Sequence, residues 1–251
     1  MVKINIKTNE EIDTMKVGGK KLHEIKNSLR KAVKKGSTAG DVEDLAEELI
    51  QKSGGESSFK KVPGYKWNTC VNVNDGVVHG IPHKHIKFKP GDIVSVDVGL
   101  FYNGFHTDTS FSVEVDTNKE SKFLDAGREA LSSGIKQAKA GNRVYDISKA
   151  IEDVFKKHDL TPIRSLVGHG VGRDLHEAPQ IPCFTLEGKR EMSPELPKGA
   201  VLAIEVMYTK GDGKVYIEDS DGWTIRTNDG KMSALFEETV ALENNGSFII
   251  T

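Results

Sequence analysis

Cysteine is nearly absent from this chain. Cys70 and Cys183 are too few for a disulfide scaffold or a thiolate metal site, so stability has to come from a packed core. An excess of one charge is missing as well. The 35 basic and 37 acidic residues leave a net charge of -2, which gives no overall pull toward specific nucleic acid or a membrane. Lys20 to Lys35 is locally basic and reads as the solvated face of a helix. No Pro/Gly/Ser linker divides the 251 residues, and the beginning of the chain carries no apolar signal segment. The expectation is a soluble, cytoplasmic protein of a reducing compartment, folded as one domain. Its 37% of hydrophobic residues can fill one large core or two small ones.

What the chain does have is repetition. Lys89-Pro90-Gly91-Asp92-Ile93-Val94-Ser95-Val96-Asp97 is echoed about 108 positions later by Pro197-Lys198-Gly199-Ala200-Val201-Leu202-Ala203-Ile204-Glu205. Each is a Gly turn running into a Val/Ile strand that ends in a carboxylate. A second pair, Lys35-Gly36-Ser37-Thr38-Ala39-Gly40-Asp41-Val42 and Ala140-Gly141-Asn142-Arg143-Val144-Tyr145-Asp146-Ile147, keeps the Gly to Asp spacing ahead of a helix-like segment. Two echoes in the same order predict two pseudo-symmetric halves, about 10–115 and 120–240, each made of helices and strands. The fold class is therefore α+β.

Periodicity places the elements coarsely. Helices are predicted over Glu10 to Val33, with Ile12, Met15, Val17, Leu22, Ile25 and Leu29 on the apolar stripe, and from Thr38 or Asp41 to the stop at Ser53-Gly54-Gly55. Lys119 to Lys139 and Ile147 to His158 repeat that plan. Strands are predicted over Cys70 to Val78, Ile93 to Tyr102, Phe105 to Val115, Val201 to Tyr208, Trp223 to Arg226 and Ser233 to Leu242.

Asn103-Gly104 between two strands favours a two-residue hairpin, which pairs Tyr102 with Phe105 and Gly99 with Asp108. Asp97 then shares a sheet face with Asp108, one diagonal step away. Two carboxylates side by side among Val, Ile and Phe repel unless a cation sits between them. His169, in Gly168-His169-Gly170-Val171-Gly172, has small neighbours that let backbone come close to a bound ion, and His176 follows seven residues on. Of Glu237 and Glu238 only one can point inward, and alternation alone does not choose.

These residues, with Asn72-Val73-Asn74-Asp75, His79-Gly80-Ile81-Pro82, Arg173, His176-Glu177 and Asp221-Gly222-Trp223, resemble the methionine aminopeptidases of the bacterial-type class I, from about residue 8 to residue 242. The resemblance implies the duplicated "pita-bread" fold, a curved antiparallel sheet with helices on its outer face. It also selects Glu237 over Glu238 as the inward carboxylate. By it, Asp97, Asp108, His169, Glu205 and Glu237 would bind two divalent ions, with Asp108 and Glu237 bridging. Such a set suits Mn, Fe, Co or Zn. A metal-bridging water would be the nucleophile, and Glu205 would receive its proton. His79 would contact the scissile amide, and His176 would hydrogen-bond the carbonyl oxygen. Phe59, Tyr65, Cys70, Leu175 and Trp223 would line a methionine-sized slot, with a small second substrate residue preferred. The implied partners are nascent polypeptide N-termini, with weak, transient ribosome contact, and the implied state is a monomer.

The sequence departs from that family at several places. Val206 stands where Pro follows the glutamate, Glu238 where His is common, Leu175 for a usual Phe, Leu166 where an aromatic is frequent, and Cys183 for His or Asn. Three other readings are weighed. An aminopeptidase acting before proline usually carries a large extra N-terminal domain. A binding protein that has lost catalysis typically loses ligands, all of which remain here. The third is a ribosome-associated structural factor without a metal.

Overall fold

The computed structural model describes residues 3–185, 188, 190–244 and 246–251. In chain order come α1 (Asn9–Ala32), α2 (Ala39–Ser53), β1 (Glu56–Ser57), β2 (Thr69–Val73), β3 (Gly76–Val78), β4 (Ile93–Tyr102) and β5 (Phe105–Glu114). After them come α3 (Ser121–Gln137), α4 (Val144–Lys157), β6 (Thr161–Pro162), β7 (Val167–Gly170), β8 (Glu177–Pro182), β9 (Val201–Thr209), β10 (Val215–Ile217), β11 (Ile225–Thr227), β12 (Ser233–Glu243) and β13 (Gly246–Ile249).

The helix starts follow local capping chemistry. Thr8 Oγ1 accepts from Glu11 N, and the Glu11 carboxylate accepts from Thr8 N at 2.8 Å. Thr38 and Asp41 repeat that reciprocal pair at the start of α2, which ends at Gly54 in the left-handed conformation. α4 begins a turn earlier than its apolar stripe suggests, because the Asp146 carboxylate accepts from Arg143 N and fixes the first turn there. Val17, expected on the inner stripe of α1, is exposed, while Gly18 and Gly19 take buried places against Tyr102 and Ile250.

The main sheet runs β1-β4-β5-β12-β9-β7-β8, with β2 also on β4, β6 on β9 and β13 on β12. Its observed pairings are antiparallel. α1 and α2 bury Leu22, Ile25, Leu29, Val42 and Ala46 against Val94, Val96, Val98 and Phe111. α3 and α4 bury Phe123, Leu124, Ile147, Ile151 and Phe155 against Ile204, Val206, Tyr208 and Phe236. Each such Val, Leu, Ile or Phe side chain contributes roughly 1.5–3 kcal/mol of burial. Glu238 of β12 is opposite Thr109 of β5, so Phe236 and Phe111 lie on one face and both helix pairs cover that face. This is the α+β arrangement anticipated, with helices outside an antiparallel sheet.

The echoed segments make matching hydrogen bonds. Gly36 N donates to Phe88 O and Phe88 N to Ser37 O, as Gly141 N donates to Leu196 O and Leu196 N to Asn142 O. Gly91 N donates to Val115 O and Val115 N to Asp92 O, as Gly199 N donates to Leu242 O and Leu242 N to Ala200 O.

Some strands differ from expectation. Cys70 to Val78 is two strands, because the Asn74 side chain accepts from Ile93 N and donates to Asp92, turning the chain there. β2 stays on β4, while β3 joins β11 and β10 in a separate three-stranded sheet. The Trp223 to Arg226 strand begins only at Ile225. The Asp221 carboxylate holds Trp223 N and Thr224 N, both at 2.8 Å, in a turn. Of Glu243 to Thr251, left open between an edge strand and a frayed end, Gly246–Ile249 pair as β13 with β12, while residue 245 lies outside the described residues.

Candidate metal centre and substrate cavity

Strand pairing brings the carboxylates into rows. Asp97 pairs with Ser110, Ser110 with Glu237, and Glu237 with Glu205, giving one row across β4, β5, β12 and β9. A second row, two residues along, holds Gly99 opposite Asp108, then Thr239 opposite Ala203 and Ala203 opposite His169. Alternation puts all five expected ligands on the face away from the helices. The hairpin pairs Tyr102 with Phe105 and Gly99 with Asp108, as its turn chemistry predicts. Glu238 points to the helix face, where Lys26 Nζ binds both its oxygens, at 2.7 and 2.8 Å. The charge at that departure therefore meets a lysine on the far side of the sheet.

One donor atom each from Asp108, His169 and Glu237 lies within 4.8 Å of the others, a cluster able to hold a metal ion. His169 Nδ1 donates to Gly170 O at 2.8 Å, leaving Nε2 with its lone pair 3.4 Å from Glu205 Oε1. His169 reaches this place because Gly168 has no side chain. A Cβ there would lie 2.7 Å from Ala203 O and push β7 off β9. Gly99 does the same for the slot, since a Cβ would meet Ser58 and Phe59 at 2.7 and 3.0 Å.

Four carboxylates gathered in this way oppose one another's ionisation. Burial pushes the Asp108 carboxyl up to about 7. Asp97, Glu205 and Glu237 are held well above the usual carboxylate range, first by burial and then by the Asp108 charge. Asp97 Oδ1 and Glu237 Oε1 are buried with no hydrogen-bond partner among the described residues. Orphaned carboxyl oxygens of this kind are costly, and a divalent cation would both satisfy them and favour their ionised form. The carboxylate oxygens of Asp108 and Glu237 with the His169 nitrogen make a donor set that can hold a divalent ion.

A cavity of about 370 Å³ opens on this cluster. It is lined by all five expected ligands and also by His79, His176, Phe59, Tyr65, Cys70, Leu175 and Trp223, so the structure brings together every sequence-predicted site residue. Tyr65 stands edge-on to Trp223 with ring centroids 5.1 Å apart, and to Phe59 at 6.3 Å. Tyr65 OH donates to Thr69 O and lies 3.2 Å from Cys70 Sγ. Burial raises the Cys70 thiol well above its ordinary value, which suits a packing residue and not a nucleophile. His169 and His176 meet edge to face at 4.5 Å. Burial lowers the pKa of His79 and of His176, and brings His169 to about 4.

Val62, Val78, Ser165, Val167 and Met207 also line the cavity without having been singled out. Met207 lies two residues after Glu205 on the same strand, so alternation could have found it. Leu166 lines the wall as well. Val206 is opposite Phe236 in an unbroken β9–β12 ladder, which restrains Glu205 without a proline. Cys183 Sγ donates to Glu205 O at 3.1 Å.

The profile of metallopeptidase family M24 matches residues 13–243. The chain is 40% identical over 250 residues to the methionine aminopeptidase of Clostridium perfringens, covering 99% of this chain and 98% of that one. It is 38% identical over 248 residues to methionine aminopeptidase 1 of Bacillus subtilis, covering 98% of each. The crystal structure of the methionine aminopeptidase from Thermotoga maritima superposes with a TM-score of 0.94, at 43% identity and 99% coverage of both chains.

Proposed function

The chain belongs to metallopeptidase family M24, and on that premise we propose that it is a metal-dependent aminopeptidase that removes the N-terminal methionine from polypeptides. The observation that carries this reading is the row of buried carboxylates, two with orphaned oxygens, facing His169 at the mouth of an aromatic slot. Asp97, Asp108, His169, Glu205 and Glu237 would hold two divalent ions, with Asp108 and Glu237 shared. When bound, the ions supply Lewis-acid polarisation of the scissile carbonyl and a water acidic enough to attack at neutral pH.

The remaining work falls to the protein. Glu205 accepts the proton of the attacking water. His176, kept neutral by burial, donates an N–H to the carbonyl oxygen as its charge grows. His79 contacts the scissile amide and assists the departing amine. Phe59, Tyr65, Cys70, Leu175 and Trp223 hold the methionine side chain, fixing the scissile bond against the carboxylates. The free α-amino group lies at the metal-facing end, which limits cutting to one residue, and a narrow next subsite favours a small second residue.

We further assign the chain one catalytic domain of two related halves, about 10–115 and 120–240, on the strength of the matching hydrogen bonds at Gly36 and Gly141 and at Gly91 and Gly199. Its substrates are nascent N-termini in the cytoplasm, met by a monomer with weak, transient ribosome contact. Among the described residues no helix is long and apolar enough to cross a membrane.

The test is release of free methionine from Met-Gly-Met-Met, with Leu-Pro-Pro as control, by metal-free protein titrated with Mn, Fe, Co and Zn ions. Metal-dependent methionine release without action on the control is expected. Silence from folded protein with every metal would sink the catalytic reading, and cleavage of the control would move it to Xaa-Pro substrates.

A further inference from the structure

β5 and β12 carry Asp108 and Glu237, yet they pair as strands at only two positions, Glu237 with Ser110 and Glu238 with Thr109. One residue on, a side chain takes over the ladder. Thr239 Oγ1 accepts from Asp108 N at 2.9 Å and donates to Asp108 O at 2.7 Å. The peptide of Thr239 is served from elsewhere: its N–H donates to Thr251 Oγ1 at 2.9 Å, and its carbonyl accepts from Ile250 N at 2.8 Å. Thr251 Oγ1 in turn donates to Glu238 Oε2 at 2.8 Å. Lys26 closes the group from α1, binding Glu238 and donating to Thr109 Oγ1 at 2.9 Å, while Thr109 Oγ1 donates to Glu237 O at 2.9 Å.

We propose that Thr251 is a positioning residue of the metal centre. Its hydroxyl, together with the Lys26–Glu238 pair, fixes the Glu237–Thr239 backbone, and through Thr239 Oγ1 it fixes the backbone of Asp108. The inference rests on the reading of Asp108 and Glu237 as shared ligands. The physical requirement is specific. The atom at this point must accept from a peptide N–H and donate to a carboxylate at once, which a hydroxyl does and a methyl cannot. Thr251 is buried, and Ile250 packs on Gly19 of α1 with its main chain as well as its side chain, since a Cβ there would lie 2.4 Å from Ile250 O, while Ile250 N is bound to Thr239 O. β12 has left β5 here, and among the described residues Thr251 Oγ1 alone binds the Thr239 N–H.

The test measures metal binding apart from turnover. Metal-free Thr251→Val, Thr251→Ala and Thr251→Ser proteins are titrated with Mn(II) by calorimetry, and the ligand-field spectrum of each Co(II) form is recorded. Val and Ala are expected to weaken Mn(II) binding by about 10- to 100-fold and to change the Co(II) spectrum, while Ser restores both, as for residues that orient ligands. Ile250→Ala, which keeps every hydrogen bond and loses only packing, is expected to lower the melting temperature with Mn(II) affinity nearly unchanged. Unaltered affinity and spectrum in Thr251→Val or Thr251→Ala would overturn the proposal, as would an equal loss in Ile250→Ala or no rescue by Ser. Failure of the parent protein itself to bind Mn(II) or Co(II) would instead overturn the metal reading on which it rests.

Discussion

Asp97 and Glu205 stand at the two ends of one row of paired residues, joined through Ser110 and Glu237. No cation-bearing side chain enters that row, so in the metal-free protein its carboxylates oppose one another, and Glu237 Oε1 lacks any hydrogen-bond partner among the described residues. Glu237→Gln is therefore expected to stabilise the metal-free protein by about 1–3 kcal/mol, the scale of one relieved buried polar group. The same change should abolish stabilisation by Mn(II) and lower methionine release by more than about 100-fold. Thermal melts with EDTA and with Mn(II) check both signs.

Glu43 of α2 holds the entrance to β2. Its carboxylate accepts from Asn68 N, Asn68 Nδ2, Thr69 N and Thr69 Oγ1, at 2.7 to 3.0 Å, one residue before Cys70. Glu43→Ala should cost about 2–3 kcal/mol of stability, because charged hydrogen bonds are lost and donors are stranded. KM for a methionyl peptide should rise several-fold with kcat little changed, since the slot moves and the carboxylates do not. Urea unfolding and steady-state kinetics separate the two effects.

Lys7 and Glu177 form a buried pair at 2.5 Å, and the other Glu177 oxygen accepts from Arg173 N at 2.9 Å, bracing the loop that carries His176. Lys7→Met leaves Glu177 buried without its cation, which should cost about 3–5 kcal/mol. The double change Lys7→Met with Glu177→Leu should recover much of that stability but lower kcat, because Arg173 N then loses its acceptor. Denaturant midpoints and kcat for the single and double variants decide.

Cys70 faces the slot with its thiol strongly disfavoured from ionising. Cys70→Ser should keep methionine release within about tenfold, the cost of one altered apolar contact in a substrate pocket. Iodoacetamide should leave the folded protein active. Loss of activity on alkylation, with the serine variant dead, would show the thiol acting as a nucleophile.

How much of this could be read from the sequence depended on how local the cause was. Asn103-Gly104 dictated its hairpin, and with it the Asp97 and Asp108 juxtaposition, because left-handed turn residues act on their immediate neighbours. Thr38 and Asp41 announced a helix start in the same way. The choice between Glu237 and Glu238 could not be made from alternation, because its cause is Lys26, more than two hundred residues away. β7 was missed because Gly168-His169-Gly170 has no strand propensity. The chain is extended there because small residues let β9 approach, which is a tertiary effect. The echo found Asp97 and Glu205 at equal positions but not the other two carboxylates. The offset that carries Val115 onto Leu242 carries Asp108 onto Leu235 and Ser110 onto Glu237, so repetition alone does not predict them.

β12 is the last long strand among the described residues, yet it lies in the middle of the sheet, between β5 and β9. While the polypeptide is being made, residues through Asp229 already contain Asp97, Asp108, His169 and Glu205, but β5 and β9 have no strand to hold them together. Segments with such distant partners close late, after local helices and hairpins have formed. Until β12 enters between β5 and β9, Glu237 is missing from the row that Asp97 and Glu205 close. The site is therefore among the last parts of the described fold to assemble, and its completion coincides with the closing of the sheet.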